Sequence, residues 1–208
     1  MTDSRPARTV KKTQTSARRG GKRERLASAA AEVFHRQGVE RTTLSDIAQA
    51  ADVPLGNVYY YFKTKDQLVE AALGAHRGLL ADAVEELDRL PDPAARLKAM
   101  IGGWIEQRDL AARYGCPFGT LATELDKRED GLDAVAADVL RALIDWAEEQ
   151  FRQLGQADAH DLGVAFVAAY QGMSVLANAL RDPEVMTTQG RRLESWIDTL
   201  AGSGSGGR

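Results

Sequence analysis

Cysteine is almost missing from this sequence: Cys116 is the single one in 208 residues. An intrachain disulfide framework is thereby excluded, and a reducing, cytoplasmic setting is expected. The three histidines, His35, His76 and His160, are far apart, with no Cys/His spacing that would hold a metal. No glycine-rich phosphate loop is present either. The acidic doublets Glu85-Glu86 and Glu148-Glu149 read as solvated helix faces, so catalysis finds little support and no cofactor is expected. We read no window of 18 uncharged apolar residues, and nothing is expected to span a membrane. The N-terminus is basic without the apolar h-region of a secretory signal. Internal repeats and convincing strand patterns are also lacking, which leaves an all-α fold.

What is present is an ordinary apolar content of 44% and an uneven distribution of charge. Residues 1–65 carry 13 Lys+Arg against 6 Asp+Glu, a net of +7, whereas residues 66–208 carry 14 against 24, a net of −10. A basic head on an acidic body is expected when only the head meets a polyanion. Arg5, Arg8, Lys11, Lys12, Arg18 and Arg19 lie in residues 1–21, among Thr, Ser, Gln and Gly. Such a segment cannot offset its ordering entropy, so it reads as a disordered arm. It either follows the DNA backbone or serves as a solubilising tail.

The chain is organised around Thr43 to Asp66, TLSDIAQAADVPLGNVYYYFKTKD. Leu44, Ile47 and Ala48 recur at i, i+3 and i+4, and Thr43 with Asp46 forms a capping box ahead of them. Pro54 cannot continue that helix and suits the opening turn of a second. From Leu55 to Phe62, Val58 and Phe62 take one side and Asn57, Tyr60 and Tyr61 the other. Two helices joined so tightly read as a helix-turn-helix, whose second helix enters the DNA major groove. Upstream, Lys22 to Gln37 carries the stripe Leu26, Ala30, Val33 and Phe34, and Gly38 ends it. A three-helix head this small needs support from the helix starting at Thr64. A second capping pair opens that helix, Thr64 with Gln67, and Leu68, Ala72, Ala75, Leu79 and Leu80 form its apolar row.

The run DVPLGNVYYYFKTKDQL, with Tyr59, Tyr61, Phe62 and Lys65, resembles the signature of the TetR family of one-component transcriptional regulators. FHRQGVERTTLSDIAQAADV resembles the same family's first two helices. The likeness covers residues 22 to 68. It departs at Pro54, where a Ser or Thr cap is common, and at Leu55, where a Lys is common. The resemblance implies an N-terminal helix-turn-helix joined by a long helix to a C-terminal helical ligand-binding and dimerisation bundle. It also implies phosphate contacts at Thr43, Tyr59, Tyr60 and Lys65. Gly56 would let backbone approach phosphate, and Asn57 can read adenine. Together with Pro54 and Leu55 these are the candidate DNA-binding residues; Tyr61 and Phe62 read as core.

Beyond the head, Pro91-Asp92-Pro93 breaks the chain, with Asp92 as N-cap. One helix is expected from there to Tyr114-Gly115, with Leu97, Met100, Ile101, Trp104, Ile105 and Leu110 on its apolar side. A short helix opens at Cys116-Pro117. Further helices are expected over 132–154, 159–180 and 188–200, followed by a flexible tail, AGSGSGGR. The domains are therefore read as an arm (1–21), a head (22–66), an effector and dimerisation domain (67–200) and a tail (201–208).

Met100, Trp104, Phe118, Leu121, Trp146, Phe166, Tyr170 and Met173 lie on inward stripes, where the family holds a small, largely apolar effector. Small residues from Gly163 to Ala179 suggest homodimerisation through the last two helices, with Trp196 and Leu200 as candidate interface residues. The segment with Gly115, Cys116, Leu121 and Glu124 resembles a TetR subgroup written G-C-x-x-x-x-L-x-x-E. Some members of that subgroup use the cysteine to sense electrophiles or oxidants; Cys116 is otherwise a small buried hydrophobe. The expected function is a ligand-responsive repressor of a double-stranded DNA operator. Two alternatives stay open: a DNA-binding protein without effector, and a helical protein–protein interaction module.

Overall fold

The computed structural model describes residues 21–126 and 131–204. The expected basic arm, apart from Gly21, and the end of the tail lie outside them. Among the described residues every regular element is a helix. The chain separates after His76 into two compact units, so the boundary falls inside the helix Lys65–Leu87 rather than at its start.

The first unit contains α1 (Lys22–Gln37), α2 (Leu44–Ala50), α3 (Leu55–Tyr61) and the opening of α4 (Lys65–Leu87). Gly38 ends α1 at φ 82°, a conformation that costs glycine nothing. Thr43 caps α2: its Oγ1 accepts from the Asp46 N–H at 3.2 Å, and the Asp46 carboxylate accepts from the Thr43 N–H at 2.8 Å. Asp52 makes the turn with φ 53°, which Asp tolerates better than most residues. Pro54 stands just ahead of α3 as its N-cap. Leu26, Phe34, Ile47, Val58, Phe62, Leu68 and Val69 are buried together as the core of this unit. At the head of α4, Thr64 Oγ1 accepts from the Gln67 N–H, but the Gln67 side-chain Oε1 accepts from the Lys63 N–H instead of that of Thr64.

The second unit packs α5 (Pro93–Glu106), α6 (Arg108–Tyr114), α7 (Pro117–Leu125), α8 (Leu132–Gln153), α9 (Ala159–Leu180) and α10 (Glu184–Gly204). Asp92 caps α5 by accepting from the N–H groups of Ala94 and Ala95 at 3.0 and 3.2 Å. The single helix expected from Pro93 to Tyr114 is two helices, broken at Gln107. No Gly or Pro marks that break. Packing accounts for it, since α5 lies on α10 whereas α6 lies on α9. Leu110, expected in the core, is consequently exposed, and so is Leu79. The last helix begins earlier than expected, because the Asp182 carboxylate accepts from the Glu184 N–H at 2.9 Å, and it continues to Gly204.

α8 and α9 approach closely at Gly163, where an added Cβ would stand 3.0 Å from both Glu148 N and Ile144 O. Phe151, Phe166, Ala147, Ala177, Met186 and Ile197 are fully buried at the centre of this unit. Trp196 and Leu200 pack against the same core, with Trp196 centred 5.6 Å from Phe151. Both are half-buried, so part of each side chain stays open to solvent. By length and composition alone α9 is apolar enough to cross a membrane, with mean hydropathy 1.3 in its most apolar window, 39% of which is buried; a buried core helix passes the same test. Phe166, Val167, Tyr170, Met173 and Ala177 supply the buried side. The opposite side exposes Val164, Val175, Leu176 and Leu180, with Ala165, Ala168, Gly172 and Ala179 between them.

Candidate functional site

The α2-turn-α3 segment is held from behind by Ile47, Val58 and Phe62 and presents its front to solvent. Leu55 is 40% exposed, Tyr59 54% and Tyr60 72%, while Asn57 is half-buried. Pro54 and Gly56 are exposed beside them. Tyr60 and Tyr61 meet edge to face at 4.9 Å, and Tyr61 is half-buried where full burial was expected. No charged side chain stands on α3 itself. Its C-terminal carbonyls are capped by Lys63, whose Nζ donates to the carbonyls of Tyr59 (2.8 Å) and Tyr60 (3.3 Å). That cation complements the negative end of the helix, a role the sequence reading had not assigned.

Thr43 is exposed, with its hydroxyl committed to the cap: Oγ1 donates to the Asp46 carboxylate at 2.8 Å. These bonds from the Thr43 backbone and hydroxyl hold the Asp46 carboxyl below its ordinary pKa. Lys65 is half-buried at the first position of α4, and its Nζ donates to the Glu40 carbonyl at 3.1 Å. It thereby ties the turn before α2 to the start of α4. An open recess of about 450 Å³ lies nearby, lined by Arg23, Tyr61, Phe62, Gln67, Glu70 and Ala71. The Arg23 guanidinium sits over the Phe62 ring at 5.2 Å. None of the expected effector-lining residues borders this recess.

Those residues belong to the second unit. Met100, Trp104, Trp146, Phe166, Tyr170 and Met173 are buried in one cluster, with Phe118 packed on its edge. Leu121 is buried on α7. Trp104 stacks on Tyr170 with centroids 4.2 Å apart and an interplanar angle of 18°, and lies 4.9 Å from Phe166. The aromatic faces therefore fill one another. Trp146 sends its Nε1–H to the Asp88 carboxylate at 3.1 Å, joining this cluster to the segment just after α4.

Cys116, 3% exposed, is the N-cap of α7. Its Sγ accepts from the Gly119 N–H and from Gln171 Nε2, both at 3.4 Å. The Tyr170 phenol also bonds this sulfur, and burial, the largest cause, pushes the phenol well above its ordinary pKa. Gly119 makes room for the arrangement: a Cβ there would fall 2.2 Å from Gln171 Oε1. The two polar side chains from α9 carry no sequence signal, because their stripe reads as core.

The sequence matches two family models: the bacterial regulatory proteins of the tetR family over residues 26–72, and the LmrA/YxaF-like transcriptional regulator C-terminal domain over residues 93–192. The HTH-type transcriptional regulator LmrA of Bacillus subtilis is 26% identical over 149 residues, 67% of this chain and 76% of its own length. The HTH-type transcriptional regulator TtgR of Pseudomonas putida is 28% identical over 190 residues, 85% of this chain and 88% of its own. A TetR transcriptional regulator from Legionella pneumophila superposes with a TM-score of 0.75 at 16% identity, covering 86% of this chain and 97% of that one. At that identity the likeness speaks for the fold. The curated relatives are transcriptional regulators, not enzymes.

Proposed function

Because the chain belongs to the tetR family of bacterial regulatory proteins, we propose that it is a cytoplasmic homodimeric repressor, released from a pseudo-palindromic operator by a small, largely apolar effector. The observation that carries the reading is the front of α3. Leu55, Gly56, Tyr59 and Tyr60 face solvent on a helix whose back is anchored in the core. Exposed apolar and aromatic side chains on a short, rigid helix fit a surface completed by duplex DNA. In this reading Leu55, Gly56 and Asn57 meet base edges at the N-terminal end of α3, with Pro54 setting the approach. Tyr59, Tyr60 and Lys65 bind backbone phosphates, while Thr43, whose N–H and hydroxyl both donate to Asp46, holds the start of α2 in place.

One recognition helix gives little specificity, so two are required, and the exposed side of α9 supports the pairing. Val164, Val175, Leu176 and Leu180, with small residues between them, form a self-complementary stripe suited to an isologous contact. The effector would enter among Trp104, Phe118, Trp146, Phe166, Tyr170 and Met173, with Met100 and Leu121 behind. Since Trp104 and Tyr170 stack on each other, binding requires these rings to part. That cost makes the effector select a second conformation, which shifts α4 and the spacing of the two heads. Reciprocity follows: operator weakens effector binding by the factor with which effector weakens operator binding.

A finer reading concerns Cys116. Three donors converge on its sulfur at the N-terminus of α7, and covalent addition of an electrophile to that sulfur would disrupt these bonds between α7 and α9. Quinone-type electrophiles should then weaken operator binding, and an unchanged response in Cys116→Ser ends that idea. The general reading is tested by selecting duplexes from a random pool and measuring the salt dependence of binding. Enrichment of a two-fold symmetric site with a steep salt slope is expected. A slope near zero on every duplex would favour a protein–protein interaction module instead.

A further inference from the structure

Two features of the recognition helix have no explanation inside the chain. Leu55 is a large apolar residue left 40% exposed at the first position of α3. Gly56 follows it inside the helix, where glycine weakens the helix by roughly 1 kcal/mol relative to alanine. A Cβ on Gly56 would meet nothing within 4 Å. Neither its φ nor any neighbouring atom calls for glycine there. The missing side chain matters only if something outside the chain comes close.

Resting on the DNA-binding reading above, we propose that Leu55 is a specificity-determining residue that reads the 5-methyl group of a thymine in each half-site, with Gly56 as the notch that lets it reach. Residues at the start of a recognition helix are the ones that contact base edges. Leucine has no donor or acceptor, so it cannot address N7, O6, N4 or a phosphate. The apolar feature of the major-groove floor is the thymine methyl. No charged side chain on α3 competes for the same base pair, because Leu55–Tyr61 contains none. Gly56 removes the side chain that would hold the helix backbone away from the groove.

The test uses the full chain and the duplex it selects from a random pool. Each thymine of the selected site is replaced in turn by uracil, which lacks only the 5-methyl and keeps every hydrogen-bonding edge. One thymine per half-site should respond, with binding weakened about fourfold, the transfer value of one methyl-sized group. Leu55→Ala should bind the thymine and uracil duplexes equally, while Leu55→Met, which keeps an apolar tip, retains a preference for thymine. Selection repeated with Leu55→Lys should replace that thymine by guanine, whose O6 and N7 accept from lysine. Gly56→Ala should weaken thymine and uracil duplexes alike without lowering the melting temperature. A selected site whose uracil responses are the same in wild type and Leu55→Ala overturns the inference and leaves the regulator reading standing. Undiminished binding by Gly56→Ala overturns the part assigned to the notch. A pool in which no duplex is enriched overturns the regulator reading, and this inference with it.

Discussion

Truncating Leu176 to alanine should weaken self-association without disturbing the fold. Leu176 is 52% exposed on the outer side of α9, so about half of its surface would be covered by a second copy pairing there. Fully burying a leucine stabilises by about 1.5–3 kcal/mol, which leaves about 1 kcal/mol for that half. A two-fold contact counts each substitution twice, giving about 2 kcal/mol per dimer, or about thirtyfold in the dissociation constant. Leu176→Asp, which would place two carboxylates in the same contact, should exceed a hundredfold. Sedimentation equilibrium across a concentration series measures the constant directly, and circular dichroism confirms that α9 remains helical. A dissociation constant unchanged by Leu176→Asp would refute the assignment of this stripe. Trp196→Phe is the control: that ring packs on Phe151 of its own chain and should leave association alone.

Other outcomes follow from the packing. His76 is 8% exposed, and burial, followed by repulsion from His35, lowers its pKa from 6.5 to about 4. The unfolded chain then binds the extra proton first, so stability is whole above pH 6.5 and falls as pH drops toward 4, by about 3 kcal/mol in all. Chemical denaturation of wild type and His76→Phe across that window should show a shallower slope in the variant. Gly163→Ala places a methyl 3.0 Å from two backbone atoms of α8 and should cost about 1–3 kcal/mol. Gly78→Ala, with nothing within 4 Å, should gain about 0.5–1 kcal/mol, and thermal melting separates the two signs. Trp146→Phe removes the bond to Asp88 and should cost about 1–3 kcal/mol in the same assay.

Several helix ends were readable where local chemistry closes them, although the Asp182 cap ahead of α10 was not. Asp92 with Pro93, Thr43 with Asp46, and Gly38 each act through a local bond or a local φ, and local chemistry is what a sequence displays. The break at Gln107 was not readable, because it comes from α5 and α6 choosing different partner helices. For the same reason Leu110 was placed inside and lies outside. Trp196 and Leu200 mark the limit of periodicity: a stripe states that a residue is covered, not whether its own chain or a second one covers it. The aromatic cluster shows a related gap, since the stacking of Trp104 on Tyr170 depends on the register between α5 and α9. The apolar run of α9 holds Gln171, Ser174 and Asn178, and by composition it is indistinguishable from a buried core helix.

The head keeps its two duties on separate atoms. Ile47, Val58 and Phe62 are buried behind the helix-turn-helix, while Leu55, Gly56, Tyr59 and Tyr60 leave much of their surface to solvent. If recognition lies on the exposed front, it can be rewritten there one position at a time while the buried scaffold is kept. A lineage built on this head is free to wander from one DNA address to another without passing through unfolded intermediates.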